Sequence, residues 1–134
     1  EMTVQMIGAV RQVFGDEGVD KLIQVREAAM LGSYREAMQG ARNLKGRLER
    51  LAEVRSAEGY MAELRKDGAD FLFIENHCPI CSAAKACMGF CRSELELFNK
   101  VLGDGVQIER EEHILTGARR CAYRVRERGP AGRS

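Results

Sequence analysis

The sequence predicts an α+β fold, with N-terminal helices followed by a ββαββ unit that forms a four-stranded, mostly antiparallel sheet. Apolar residues recur every three or four positions up to residue 57, which is the period of a helix. From Glu58 onward the period changes to two, and two pairs of strand-like segments flank one further helical pattern. The 134 residues suffice for one domain that buries roughly two-thirds of its unfolded surface.

The first helical region carries two apolar stripes, separated by a break at the sequence GDEG, residues 15–18. The first stripe consists of Met6, Val10, Val13 and Phe14. The second has the same spacing, follows Asp16 as a candidate cap, and consists of Val19, Leu22, Ile23, Arg26 and Met30. The break predicts that the chain changes direction between the two stripes.

A further helix start is predicted at the sequence SYRE, where Ser33 and Glu36 match a capping box. The helix that follows has a short apolar seam, completed by the stem of Arg55: Leu44, Leu48 and Leu51. Two heptads are too few for a coiled coil, so the seam can pack either on the core of its own domain or on a second subunit.

A hairpin is predicted next, because EGYMAELR alternates in polarity and Lys66-Asp67-Gly68 is a turn signal. The sequence ADFLFIE after the turn has the composition of a more deeply buried strand, which leads into the cysteine-rich segment. A second capping box, formed by Ser93 and Glu96, predicts another helix start.

This last predicted helix ends at Gly103 and has an apolar face formed by Leu95, Phe98, Val101 and Leu102. Val106 and Ile108 begin a third strand, and Thr116-Gly117 turns the chain. The fourth strand alternates Cys121, Tyr123 and Val125, which places these three side chains on one face of the sheet.

Charge and hydropathy restrict the range of functions. Twenty-one Lys and Arg against twenty Asp and Glu give a formal net charge of +1, whereas a domain that grips nucleic acid usually has a clear basic excess. No apolar run approaches the length of a membrane span, and the N-terminal residues lack the basic region and cleavage site of a secretion signal. We therefore expect a cytoplasmic protein that contacts no membrane and does not bind DNA by itself.

Five cysteines are the most informative residues, and four of them lie within fourteen positions: Cys78, Cys81, Cys87 and Cys91. In the cytoplasm, clustered thiols hold metal or carry out redox chemistry more often than they form disulfides. The sequence Cys78-Pro79-Ile80-Cys81 is similar to a dithiol redox motif, but the rest of a thioredoxin-type pattern is missing. Two pairs, Cys78/Cys81 and Cys87/Cys91, could also hold zinc, although only five residues separate them.

An iron–sulfur cluster uses the cysteines more completely, because such clusters are held by thiolates. Here a loop would supply most ligands and Cys121 would be the distant anchor. Cys91 precedes the predicted helix start at Ser93, and the positive end of that helix would favour an anionic cluster. Five inert buried thiols remain the alternative, which suits Cys121 alone better than the other four.

The remaining polar residues indicate no enzyme. No nucleophile with a His and an acid, no glycine-rich phosphate loop and no paired carboxylates stand out, so we predict no catalytic residues. His77 could be a ligand but is expected to be a surface or hydrogen-bonding residue. His113 is expected to be a solvated strand residue, and the glutamates are expected on helix surfaces.

The segments GYMAEL, FLFIENHCPICSAAKACMGFCRSELELF and VQIEREEHILTGARRCAYRV resemble the C-terminal effector half of bacterial winged-helix regulators of the SufR type. The resemblance covers residues 58–127 with specific motifs, and the preceding helices are similar in pattern only. It implies transcription regulation through an iron–sulfur cluster, a 4Fe-4S centre, that controls cluster-assembly or stress genes. Cys78, Cys91 and Cys121 match the cluster-binding positions of the family.

Cys81 and Cys87 go beyond the pattern of the family. Cys87 is the candidate fourth ligand, because it can share a helical face with Cys91, and Cys81 is a further candidate. Zinc remains the alternative metal, and a thiol redox protein using Cys78 and Cys81 the alternative function.

The resemblance also implies a domain organisation and partners. Residues 1–57 would be a helical dimerisation and linker segment, residues 58–128 the α+β sensing domain, and residues 129–134 a flexible tail. We expect a homodimer that contacts DNA only through a winged-helix domain not present in this chain. Cluster loss would free the cysteine loop and let the helices repack.

Overall fold

The computed structural model describes residues 2–78, 89–103, 105–114 and 117–127. The helices are α1 (Met2–Met38), α2 (Leu44–Ala57) and α3 (Gly89–Leu102). The strands are β1 (Ala62–Asp67), β2 (Asp70–Glu75), β3 (Val106–Glu112) and β4 (Cys121–Glu127). They form one four-stranded sheet in the order β1-β2-β4-β3, with every neighbouring pair antiparallel. The predicted α+β class and element order are confirmed.

Helix α1 contains the predicted break but not the predicted restart. Gly15 has φ of 75° and ψ of −177°, a conformation that only glycine adopts readily, so the helix is interrupted within the GDEG sequence. The capping box at Ser33 is wrong, because Ser33 lies inside α1 and is exposed. The neighbouring Tyr34 is fully buried in the core. Its packing keeps this segment helical, so the capping-box pattern does not mark a helix start here.

The second capping box is also wrong. Ser93 lies inside α3, and its hydroxyl donates a hydrogen bond of 2.7 Å to Oε1 of Glu27 on α1. A true N-cap precedes α2, where Oδ1 of Asn43 accepts from the backbone N–H of Gly46 at 2.8 Å. Both sequences match the capping-box pattern but lie inside a helix, so neither of them caps a helix terminus.

The predicted hairpin is confirmed. Asp67 pairs with Asp70 across a two-residue turn, and Gly68 has φ of 61°, as tight hairpin turns require. Ala62 pairs with Glu75 at the open end, so β2 delivers the chain directly to the cysteine segment. The predicted end of the third helix is confirmed too, because α3 ends at Leu102 and Gly103 has φ of 95°.

The core lies between the sheet and all three helices. Three rings at its centre pack against one another, with centroid separations of 5.8 Å for Phe73–Phe98, 5.2 Å for Phe98–Tyr123 and 6.4 Å for Phe73–Tyr123. The seam of α2 faces this core with side chains that are 1% exposed or less: Leu44, Leu48 and Leu51. The seam therefore packs on its own domain and is not available to a second subunit.

Arg55 extends the seam and is itself 1% exposed. Its guanidinium donates to both oxygens of Glu75, at 2.5 and 3.1 Å, and to Oε2 of Glu94 at 3.0 Å. It also donates to the hydroxyl of Tyr34 at 3.1 Å, and its Cζ lies 3.4 Å from the ring centroid of Tyr60. One side chain of α2 thus joins β2, α3 and α1.

Most of the predicted first stripe of α1 is on the surface. Ile7 packs against Phe90 and Cys91 at the start of α3, together with Val19 and Ile23 of the predicted second stripe. All but one of the exposed large apolar side chains of the described residues lie in the first twenty-five positions: Met2, Val4, Met6, Val13, Phe14, Leu22 and Val25. Among the described residues, no helix is long and apolar enough to cross a membrane.

The buried ion pairs predict a large effect of Arg55→Ala. The substitution leaves Glu75 buried without its cation and leaves Glu94 with the more distant guanidinium of Arg26, so the free energy of unfolding should fall by about 3–5 kcal/mol in a urea titration. Arg65→Ala is the matched control, because Arg65 is 60% exposed and its ion pair with Glu63 lies on the surface, and its effect should stay below about 1 kcal/mol. Equal effects of the two substitutions would contradict the structural role of Arg55.

Glu27 predicts a pH dependence. The hydrogen bond from Lys100 lowers the pKa of Glu27 from its ordinary value of 4.5, and the Ser93 hydroxyl adds to this, while burial opposes both. The resulting stabilisation is present above pH 4.5 and is lost as the pH falls through the lowered pKa of the folded state. Glu27→Gln removes this contribution, so it should lower the free energy of unfolding at pH 7 and have a smaller effect near pH 3, measured by urea unfolding between pH 3 and 7. Glu53→Gln, at an exposed position, is the control and should show no such dependence on pH.

Candidate functional site

A small pocket lies where the end of β2, the start of α3 and the start of β4 meet. Its volume is about 20 Å³, enough for one water molecule or one ion. Three of the five cysteines line it, Cys78, Cys91 and Cys121. The other lining residues are Arg55, Tyr60, Glu75, Glu94, Arg110, His113, Ile114 and Tyr123.

The sheet topology explains why distant cysteines meet. β2 and β4 are antiparallel neighbours, so Glu75 at the end of β2 is the register partner of Cys121 at the start of β4. Cys78 follows Glu75 by three residues, and Cys121 shares the inner face with Tyr123, as predicted. Cys91 lies in the first turn of α3, which begins at Gly89 and not at the predicted start, Ser93.

His113 closes the pocket from the segment after β3. Its Nε2 lies 3.4 Å from Sγ of Cys91, and the side chain is half-buried. The next backbone N–H, that of Ile114, donates to Sγ of Cys121 at 3.4 Å. The prediction of a solvated strand residue is wrong for His113. His77, in contrast, is exposed, in agreement with the expected surface position.

Burial shifts two titratable groups of the pocket towards their uncharged forms. Burial raises the pKa of the Cys121 thiol, although the Ile114 N–H acts in the opposite direction. Burial, together with the positive charge of Arg110, lowers the pKa of His113. His113 is therefore a neutral imidazole at neutral pH, which is the form that binds metal, and a bound cation would convert Cys121 to its thiolate.

Two buried carboxylates form the inner wall, against the expectation that the glutamates lie on helix surfaces. Glu75 and Glu94 are each 3% exposed. Glu94 accepts from Arg55 and, through Oε1, from the Tyr60 hydroxyl at 2.9 Å, and it lies 3.5 Å from the guanidinium of Arg26. Burial raises the pKa of Glu75, and the bidentate bond from Arg55 opposes this effect.

Arg110 adds a positive charge at the thiol side. Its guanidinium donates to the backbone oxygen of Cys91 at 3.0 Å and to the Tyr123 hydroxyl at 3.3 Å. Its Nε is buried and finds no hydrogen-bond partner among the described residues. A donor of this kind beside the thiols suits an anionic sulfur ligand.

The donor set suits a soft or borderline metal. Thiolate and imidazole are ligands of zinc and of iron–sulfur clusters. Within the described ranges, however, no three His, Cys, Asp or Glu side chains already stand in a metal-binding arrangement. The pocket is the size of one ion, so a multi-iron cluster would require its walls to move apart. Cys81 and Cys87 lie outside the described residues.

Comparison with known proteins relates the chain to one fold. No family model and no curated protein sequence matches it. The structure is similar to the crystal structure of the phenol-responsive sensory domain of the transcription activator PoxR with phenol, with a TM-score of 0.52 and 11% sequence identity. The match covers 98% of this chain and 78% of that one. The two chains share a fold, and the SufR-type resemblance remains a prediction.

Proposed function

We propose that this chain is the sensor domain of a transcriptional regulator and binds a thiolate-ligated metal centre through Cys78, Cys91 and Cys121. The SufR-type motifs favour an iron–sulfur cluster, of the 4Fe-4S type, as that centre. The chain itself performs no catalysis in this proposal. Any contact with DNA would be made by a winged-helix domain outside these 134 residues, since the net charge of +1 offers few phosphate contacts.

The observation that carries the proposal is the convergence of three cysteines on one pocket. They come from the segment after β2, from α3 and from β4, and up to forty-three positions separate them in the sequence. Cysteines that only fill a hydrophobic core are not expected to converge on one pocket. The buried Nε–H of Arg110, which has no hydrogen-bond partner among the described residues, supports an anionic ligand set.

The shared fold supports the sensory role. The similar domain of PoxR is a sensory domain and holds phenol. In this chain the cysteine-lined pocket measures about 20 Å³, whereas small-molecule sites typically measure about 300–1,000 Å³. A pocket of this size suits a single ion better than an organic effector, and a cluster would bind there only if the pocket walls moved apart.

The proposed sensor would transmit its signal through the contacts that connect the pocket to α1. Cys91 belongs both to the pocket and to the apolar cluster that joins α3 to Ile7, Val19 and Ile23 of α1. Ser93 and Lys100 of α3 both bond to Glu27 of α1. Binding at the thiols ties α3 to β4, and release lets α3 move with the helix that packs on it.

A single zinc ion is the second candidate for the centre. It is favoured by the volume of the pocket, which holds one ion without rearrangement, and by the imidazole within 3.4 Å of Cys91. A dithiol redox function of Cys78 and Cys81 is a third candidate, for which the described residues offer no supporting observation.

The homodimer we propose uses α1 and a second copy of this chain. A groove of about 460 Å³ on α1 is lined by Val10, Phe14, Glu17, Gly18, Lys21, Leu22 and Val25. Only glycine fits at position 18 at the bottom of the groove, since an added Cβ would lie 2.4 Å from Cβ of Phe14. Glu17 and Lys21 have opposite charges one helical turn apart, so a two-fold axis between antiparallel copies pairs each Glu17 with the Lys21 of the other copy.

The metal proposal predicts which cysteines matter. Cys78→Ser, Cys91→Ser and Cys121→Ser should each greatly reduce bound metal after anaerobic reconstitution, because each removes a ligand from a different element. Cys81→Ser should retain most of it, and Cys87→Ser tests for a fourth thiolate. Iron, acid-labile sulfide and zinc per chain are measured, with the visible absorption of each variant.

The outcomes separate the three candidates. Brown protein with iron and sulfide supports the cluster, and colourless protein with one zinc supports the single ion. Metal-free protein that loses thiol redox activity in Cys81→Ser but keeps it in Cys121→Ser would support the dithiol. Full metal content in Cys121→Ser would refute the site.

The dimer proposal predicts that Phe14→Asp gives a monomer at tens of micromolar, because it places a charge in the centre of the apolar groove. Met61→Asp is the control, since Met61 is equally exposed but lies outside α1. Lys21→Glu should weaken the dimer, and Lys21→Glu with Glu17→Lys should restore it. Light scattering after gel filtration gives the masses, and an unsubstituted protein that is monomeric would refute the interface.

A further inference from the structure

We propose that the imidazole of His113 is the fourth protein donor of the metal centre, which gives a bound ion a Cys3His ligand set with Cys78, Cys91 and Cys121. This inference rests on the single-ion form of the proposed metal-binding function, the second candidate above, and names a ligand that the sequence pattern did not indicate. Structural zinc sites have four protein ligands in tetrahedral geometry, so three cysteines require one more donor.

The distance between His113 and Cys91 is that of two ligands on one ion. Zinc binds sulfur at about 2.3 Å and imidazole nitrogen at about 2.0–2.1 Å, so two such ligands at a tetrahedral angle lie about 3.6 Å apart. The observed separation between Nε2 of His113 and Sγ of Cys91 is 3.4 Å. The two atoms can therefore take the same ion with only small movements of their side chains.

The backbone next to His113 strengthens the assignment. The N–H of Ile114 donates to Sγ of Cys121 at 3.4 Å, so two consecutive residues contact two different cysteines. This arrangement fixes the segment after β3 against both thiols. N–H donors to ligating sulfur are a recurrent part of the shell around thiolate-bound metals.

The other donors in the pocket wall are already engaged. Both oxygens of Glu75 accept from Arg55, and the oxygens of Glu94 accept from Arg55 and Tyr60. Moving either carboxylate to a metal would leave the buried Arg55 cation with fewer partners, which is costly. Cys81 and Cys87, which lie outside the described residues, are the competing donors that the experiment must address.

The experiment compares metal binding by the unsubstituted chain, His113→Gln, His113→Cys and the matched control His77→Gln. Zn²⁺ affinity is measured by competition with a chelator, and circular dichroism verifies folding. X-ray absorption of the zinc complex counts sulfur and nitrogen neighbours, and the Co²⁺ complex reports the ligand set through its visible spectrum.

We expect three sulfurs and one nitrogen in the unsubstituted protein and in His77→Gln. His113→Gln should lower Zn²⁺ affinity more than about 100-fold, since even a residue that only orients a ligand is worth about 10–100-fold. His113→Cys should bind zinc tightly with four sulfurs, a rescue that a merely structural histidine would not show.

Two results would overturn the assignment, and they differ in what else they refute. Unsubstituted protein that binds metal through four sulfurs, with His113→Gln unchanged in affinity, refutes His113 alone and assigns the fourth position to Cys81 or Cys87. Unsubstituted protein that binds neither zinc, cobalt nor a cluster refutes the proposed metal centre together with this ligand.

Discussion

The fold depends on one buried cation. Arg55 takes up both oxygens of Glu75 on β2, one oxygen of Glu94 on α3 and the hydroxyl of Tyr34 on α1, while Tyr60 covers its face. The two carboxylates raise the pKa of the guanidinium against the effect of its burial, so it stays charged. Two acids and one base cannot be buried separately at acceptable cost, so the three elements must assemble together.

The candidate site is built on this arrangement. Glu75 is paired with Cys121 across the strands, and Glu94 follows Cys91 by less than one turn of α3. The ion pairs therefore fix the backbone that carries two of the three thiols. A change at the thiols would act on α3, which contacts α1 through an apolar cluster and through Glu27. The proposed sensing function requires both a rigid support for the thiols and a contact with a second helix.

Local patterns predicted the elements, the turn and the helix end, but not the helix starts. The hairpin with its Gly68 turn, the end of α3 at Leu102 and the alternation of β4 follow from short-range chemistry, and each is present. Both capping boxes failed, because a Ser three residues before a Glu also occurs within a helix when a buried neighbour such as Tyr34 continues it. The seam of α2 was correctly identified, but only the packed structure shows that its own sheet covers it.

The sequence by itself determined the α+β class and the order of the elements, because hydrophobic periodicity is a local property, and the SufR-type motifs singled out the three cysteines that line the pocket. It could not place His113 in the pocket, since charged neighbours in the sequence favour an exposed position. The strand order brings His113 against Cys91. It also missed Glu75 and Glu94, because their burial depends on a guanidinium from a helix twenty or more positions away. Partners distant in the chain are chosen by tertiary packing, and the tertiary structure alone decided which polar residues meet.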